Sequence, residues 1–234
     1  MKTVIISDLH GCHDAMLRLL KKAELNTTED QLIILGDMID RGRYSYEVIQ
    51  EVMHLKETMG ERCIVLFGNH EIMMMDAVGS FPLREDMQLW KQNGGGKTIQ
   101  SCYRHKTRPI SMLPFISKLR LYYETEQFIC VHAGVGAGGV EHSTKDEIVW
   151  DRSVMEDGWY RGKLLICGHT PLKEALYQDG CGNKEILQQS KEYTLPEMGS
   201  ICIDTGGVFG YKFTALVIEG NTMQVKQVFW ESAA

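Results

Sequence analysis

Apolar runs of three to six residues recur along the chain, and each stops at a small or polar residue with a potential metal ligand at or just beyond it. Thr3-Val4-Ile5-Ile6-Ser7 leads to Asp8 and His10, Leu32 to Gly36 leads to Asp37, and Cys63 to Gly68 leads to Asn69 and His70. Farther on, Phe128 to Val131 leads to His132, Leu164 to Gly168 leads to His169, and Ile201 to Ile203 leads to Asp204. Short runs rich in Ile and Val predict buried strands. Residues just past the carboxyl ends of such strands gather at one rim of an α/β sheet, where ligands usually bind. The pattern therefore predicts a rim on which carboxylates, imidazoles and an amide converge, a set suited to a two-metal hydrolytic centre.

Between the first runs the periodicity changes. Asp14 to Ala23 places Ala15, Leu17, Leu19, Leu20 and Ala23 near helical spacing, and Tyr44 to Met59 does the same with Val48, Ile49, Val52, Met53 and Leu55. Strand, helix, strand, helix, strand predicts parallel βαβ units. Residues 72–125, with Met73 to Met75, Trp90, Gly94 to Gly96 and three prolines, predict helices and loops laid beside the rim, where they could shape substrate access. Phe213 to Ile218 and Met223 to Trp230, joined by Glu219-Gly220-Asn221, predict a closing β-hairpin. No linker or repeat divides the 234 residues, so a single domain over residues 1–234 is expected.

Composition changes this picture little. A formal charge of −6 argues against a protein that holds nucleic acid mainly by counterion release, and no polynucleotide partner is expected. The seven cysteines include no C-x-x-C pair, and Cys130, Cys167 and Cys202 fall inside predicted strands as small core residues. That usage, the absence of an apolar leader and the absence of a stretch of about 18 apolar residues predict a soluble cytoplasmic protein without membrane contact.

The densest chemistry lies in Gly36-Asp37-Met38-Ile39-Asp40-Arg41-Gly42, which sets two carboxylates and an arginine within five residues of each other. Carboxylates this close need cations or hydrogen bonds to offset their repulsion. His70-Glu71 lacks the second His of a zinc-protease motif, and Gly96-Lys97-Thr98 lacks the earlier Gly of a phosphate-binding loop. Together with Ser7-Asp8-Leu9-His10-Gly11, Gly68-Asn69-His70-Glu71, His132-Ala133-Gly134 and Gly168-His169-Thr170, the chain resembles the calcineurin-like metallophosphoesterases, in particular their phosphoprotein phosphatase branch. Ser7 stands where that branch usually has Gly, and Ala133 where many members have Gly.

The resemblance implies an α/β fold, a four-layer αββα sandwich with mixed sheets. It implies that Asp8, His10 and Asp37 hold one metal and that Asp37, Asn69, His132 and His169 hold the other, with Asp37 bridging. Mixed oxygen and nitrogen ligation suits manganese, iron or zinc. His70 matches the family's general acid, Asp40 the carboxylate that orients it, and Arg41 a phosphate-binding arginine. Trp150-Asp151-Arg152 resembles a W-x-R segment that makes Arg152 the second such arginine. The expected reaction is attack of a metal-bound hydroxide on a phosphomonoester, first phosphoserine or phosphothreonine on protein. The alternatives are a dinucleoside polyphosphate such as diadenosine tetraphosphate, another nucleotide phosphoester, or a non-catalytic scaffold. Tyr44, Tyr46, Trp90, Tyr103, Trp159 and Tyr160 could provide base stacking, and none has a spacing that requires that role. The partner expected is thus a phosphoprotein or a phosphorylated small molecule.

Overall fold

In the computed structural model, which describes residues 1–189 and 191–229, all six runs that end at a potential ligand form strands. In chain order the strands are β1 (Thr3–Ile6), β2 (Gln31–Ile34), β3 (Cys63–Val65), β4 (Tyr122–Glu124), β5 (Ile129–Val131), β6 (Leu165–Cys167), β7 (Leu176–Gln178), β8 (Lys184–Ile186), β9 (Glu192–Thr194) and β10 (Ser200–Cys202). The expected hairpin is β11 (Lys212–Glu219) and β12 (Thr222–Phe229), turned at Gly220 with φ 58°; Trp230, expected at its end, lies outside the described residues. β4, β7, β8 and β9 were not foreseen. Each has three residues, none is fully buried, and β8 is exposed throughout, so they lack the apolar run that marks a strand.

The strands build two mixed sheets, in the orders β3-β2-β1-β11-β12-β9 and β4-β5-β6-β10-β7-β8. Within them β1, β2 and β3 run parallel, and so do β5, β6 and β10. Antiparallel strands flank both parallel sets.

The helices are α1 (His13–Lys22), α2 (Ser45–Met59), α3 (Asn69–Val78), α4 (Arg84–Trp90), α5 (Gly96–Arg104), α6 (Leu113–Ile116), α7 (Lys145–Trp150) and α8 (Ser153–Glu156). α1 buries Ala15, Met16, Leu19 and Leu20 on one stripe, with Asp14 in its first turn and Lys21 and Lys22 in its last, both favourable to the helix dipole. Residues 72–125 are mostly helical, as expected, and a kinked connection at Lys91–Gly95, with Gly94 at φ 108°, joins α4 to α5.

Alternation along the strands sorts the core into layers. Val4, Ile6, Leu32, Ile34 and Val65 pack outward against α1, α2 and α3. Ile5, Ile33, Leu35 and Ile64 pack inward against Cys130, Ile166 and Ile201 of the second sheet. Val131, Leu165, Cys167 and Cys202 face Ile148, Val149, Val154 and Met155 of α7 and α8. The result is the αββα sandwich. Because both faces of the central strands are covered, each fully buried Ile or Leu there contributes about 1.5–3 kcal/mol. No helix among the described residues is long and apolar enough to cross a membrane.

Candidate metal centre

Asp8, Asp37, Asn69, His132, His169 and Asp204 each follow the carboxyl end of a parallel strand by one to four residues. The chain must turn sharply there to aim these side chains at one point. Among the described residues, six of the eight non-glycine residues with positive φ belong to this rim or to the turn directly behind it: Asp8 (51°), His10 (43°), Asp37 (51°), Asp40 (72°), Arg41 (63°) and His169 (62°). Such backbone costs about 1–3 kcal/mol per residue and persists only where the surroundings enforce it. Glu71 supplies much of that enforcement. It is fully buried in α3 and accepts hydrogen bonds from the backbone N–H of Asp37 (2.9 Å), Met38 (2.8 Å) and Gly68 (2.9 Å). At Gly68 a Cβ would collide with Asp37 N and Oδ1, so only glycine lets β2 and β3 deliver Asp37 and Asn69 side by side.

Asp37 lies at the middle of the group. Its Oδ2 is 3.5 Å from His10 Nε2 and 3.8 Å from His70 Nε2, and its Oδ1 is 3.4 Å from His132 Nε2. His10, Asp37 and His70 form one set whose donor atoms lie within 4.8 Å of one another, and Asp37, His132 and His169 form a second. Asn69 Oδ1 sits 3.1 Å from His132 Nε2. Asp8 accepts from the His169 backbone N–H at 3.1–3.2 Å and from the Ser7 hydroxyl, so the serine in the usual glycine position serves to hold this carboxylate. His10 Nδ1 bonds Ile39 O and His132 Nδ1 bonds Leu35 O, both at 2.9 Å, which orients each ring with Nε2 toward Asp37.

The electrostatics fit divalent cations. Burial, then Asp8 and Glu71, push the Asp37 carboxyl well up, and burial with Asp8 does the same to Asp204. Burial drives His10 and His132 down, and burial with His132 and Arg152 drives His169 down to about 2. Neutral imidazole is the form that ligates metal. His70 Nε2 and His169 Nε2 are buried without a hydrogen-bond partner, which in a native interior calls for a bound group. Behind the rim, His70 Nδ1 meets Asp40 Oδ2 at 2.7 Å. Burial pushes Asp40 up to about 7 against hydrogen bonds from Thr98 and Trp90, and burial also lowers His70.

A small cleft of about 110 Å³ opens over these groups, lined by Asp37, Asn69 and His169 together with Arg41, Arg152 and Asp204. Every candidate named from the sequence therefore reaches the rim or the cleft except Asp40, which stands wholly buried behind His70. The stacking candidates do not reach it. Trp90 and Tyr160 are buried, and Tyr46 stacks on His105 instead. The aromatics in the cleft are Trp150 and Phe209, 39% and 54% exposed, with the Arg41 guanidinium 5.2 Å from the Phe209 ring centre. Trp150 was legible only as part of the W-x-R segment, and nothing local marks Phe209. Asp204 closes a turn by accepting from Gly206 N–H at 2.9 Å, and it also lines the cleft.

The pattern of the calcineurin-like phosphoesterases matches residues 1–197. The chain is 28% identical over 142 residues to a symmetrical bis(5'-nucleosyl)-tetraphosphatase of Vibrio parahaemolyticus, covering 58% of this chain and 45% of that protein, so it spans about half the length of such relatives. It is 25% identical over 228 residues to serine/threonine-protein phosphatase 1 of Salmonella typhimurium, covering 92% and 91% of the two chains. The crystal structure of a putative diadenosine tetraphosphatase superposes with a TM-score of 0.68 at 17% identity, over 99% of this chain and 95% of that one, a likeness of fold. Motif order, the paired sheets and the match across most of the chain agree, and the protein belongs to the calcineurin-like phosphoesterases.

Proposed function

We propose that the protein is a two-metal phosphohydrolase whose substrate is a nucleoside polyphosphate of the bis-nucleosyl tetraphosphate kind. One observation carries the choice of substrate: Trp150 and Phe209 are partly exposed in the same cleft as Arg41 and Arg152. A cleft with two guanidinium groups and two accessible aromatic rings offers a phosphoryl site and a stacking surface beside it. The names of several relatives point the same way.

In this reading Asp8, His10 and Asp37 would hold one ion, and Asp37, Asn69, His132 and His169 would hold the other. Two bound divalent ions supply Lewis acidity at the phosphoryl oxygens and lower the pKa of water. Arg41 and Arg152 bind the phosphoryl oxygens that remain, through paired charge-assisted hydrogen bonds. His70 carries the proton that Nε2 gives to the departing oxygen, and Asp40 keeps the ring turned for that transfer.

A second reading, hydrolysis of phosphoserine or phosphothreonine on protein, is favoured by the relative matched over nearly its whole length. A serine alkoxide also needs the His70 proton more than a nucleotide leaving group does. The two readings separate by kcat/KM of the manganese-loaded protein on diadenosine tetraphosphate and on a phosphoserine peptide. The dinucleotide should win by at least about tenfold, about 1.4 kcal/mol of transition-state preference. Trp150→Ala and Phe209→Ala should each cut its kcat/KM by about 5-fold or more, since base stacking contributes about 1–3 kcal/mol. A preference for the peptide, with the dinucleotide indifferent to both substitutions, would establish the phosphoprotein reading instead.

A further inference from the structure

Asp40 is held by more than its ion-pair partner. Thr98 Oγ1 donates to Oδ1 at 2.6 Å, and Trp90 Nε1 donates to Oδ2 at 2.9 Å and to Oδ1 at 3.1 Å. The backbone N–H of Asp40 in turn donates to Thr98 Oγ1 at 2.9 Å and to Ser45 Oγ at 3.0 Å. Thr98 therefore accepts from the backbone and donates to the carboxylate of one residue, and its hydroxyl orientation is fixed by doing both. Trp90, Thr98, Ser45 and Asp40 are all fully buried. Thr98 holds Oδ1 and the indole N–H bridges both oxygens, which fixes the plane of the carboxylate with Oδ2 toward His70 Nδ1.

The two clamping side chains come from α4 and α5, on either side of a kinked connection at Lys91–Gly95. Gly94 adopts φ 108° there, its carbonyl accepts from Arg41 N–H at 3.4 Å, and a Cβ on Gly95 would press into the Trp90 ring. The kink at Gly94 brings Trp90 and Thr98 to a single carboxylate and at the same time braces the left-handed backbone of Arg41. The segment at residues 84–104 thus does more than border the rim.

We infer that Trp90 and Thr98 are positioning residues that fix the Asp40 carboxylate so that His70 presents Nε2 to the leaving group. The inference rests on the reading of His70 as the proton donor under the proposed function. If it holds, loosening the clamp costs rate only where the departing oxygen needs a proton.

The test uses the manganese-loaded protein with phenyl phosphate, a poor leaving group, and p-nitrophenyl phosphate, a good one. Thr98→Val keeps the shape and removes the hydroxyl; Trp90→Phe keeps a ring and removes the N–H. Each should lower kcat on phenyl phosphate by about 10- to 100-fold, the range seen when partners that orient reactive groups are lost. On p-nitrophenyl phosphate the loss should be several times smaller, with KM and metal content unaltered. Thr98→Ser retains the hydroxyl and should recover most of the phenyl phosphate rate. In a His70→Asn background, Thr98→Val should cost nothing further, because the proton donor it serves is gone. The downfield proton signal of the His70–Asp40 bond should also move in Thr98→Val. Equal losses on both substrates, failure of Thr98→Ser to rescue, or an additive loss in the His70→Asn background would each overturn the clamp. Should His70→Asn alone lose both substrates equally, the assignment of His70 as proton donor falls. Should it discriminate between them while Thr98→Val and Trp90→Phe do not, only the clamp falls.

Discussion

Glu71→Gln perturbs the support of the centre without replacing any of the proposed ligands, and its cost follows from three distances. Oε2 accepts from Asp37 N–H and Gly68 N–H, both at 2.9 Å, and Oε1 accepts from Met38 N–H at 2.8 Å. Burial pushes the carboxyl up to about 7 while the same three N–H groups pull it down, and only the ionised form gives every donor an acceptor. A glutamine has one oxygen to offer. With its amide nitrogen in the Oε1 position, Met38 N–H faces another donor; in the Oε2 position, two N–H groups do. The cheaper arrangement forfeits one charge-assisted bond, about 1.5–3 kcal/mol, and weakens two others by removing their charge, so about 3 kcal/mol of stability should go. For a chain of this size that lowers Tm by roughly 6–12 °C. Thermal unfolding of the variant and the wild-type protein, each metal-loaded and metal-free, measures it. Tm values within about 1 °C would refute the idea that Glu71 enforces the turn at Asp37. Activity should fall as well, because the Asp37 backbone with φ 51° loses its N–H anchor.

Asp37→Asn should remove most bound metal along with activity, since Asp37 belongs to both clusters of donor atoms; metal analysis after exhaustive dialysis checks it, and two fully occupied sites would end the bridging role. Of the seven cysteines only Cys181 is exposed, and burial pushes Cys12 up to about 12 and Cys63 and Cys102 up to about 11. One thiol should therefore react promptly with a thiol reagent in the native protein, and Cys181→Ser should abolish it; two or more fast thiols would contradict the buried assignment.

The ends of the central strands, and the polar side chain that follows each onto the rim, were readable from sequence because both signals are local. A strand buried on both faces must be continuously apolar, and the side chain that acts at a strand end must follow within a few residues. The hairpin of β11 and β12 and the helices α1 and α2 were readable for the same reason: period and turn chemistry lie within short windows. β4, β7, β8 and β9 were not, because three-residue strands at or near the sheet margins are formed by pairing with a neighbour and carry no apolar run of their own. The chain could name Asp37, Asp40 and His70, but not what holds them. Glu71 reaches back 34 residues to Asp37, while Trp90 and Thr98 reach 50 and 58 residues to Asp40, and no local spacing encodes such contacts. The aromatic rings of the cleft follow the same rule. Trp90, the most prominent tryptophan of its segment, is sealed inside against Asp40, whereas Phe209 stands beside Arg41 only because a turn after β10 carries it there. Side-chain identity along the strands set the fold and the inventory of candidate ligands; the packing of distant segments decided which polar groups are clamped, which rings stay open in the cleft, and how the rim is held in its strained geometry.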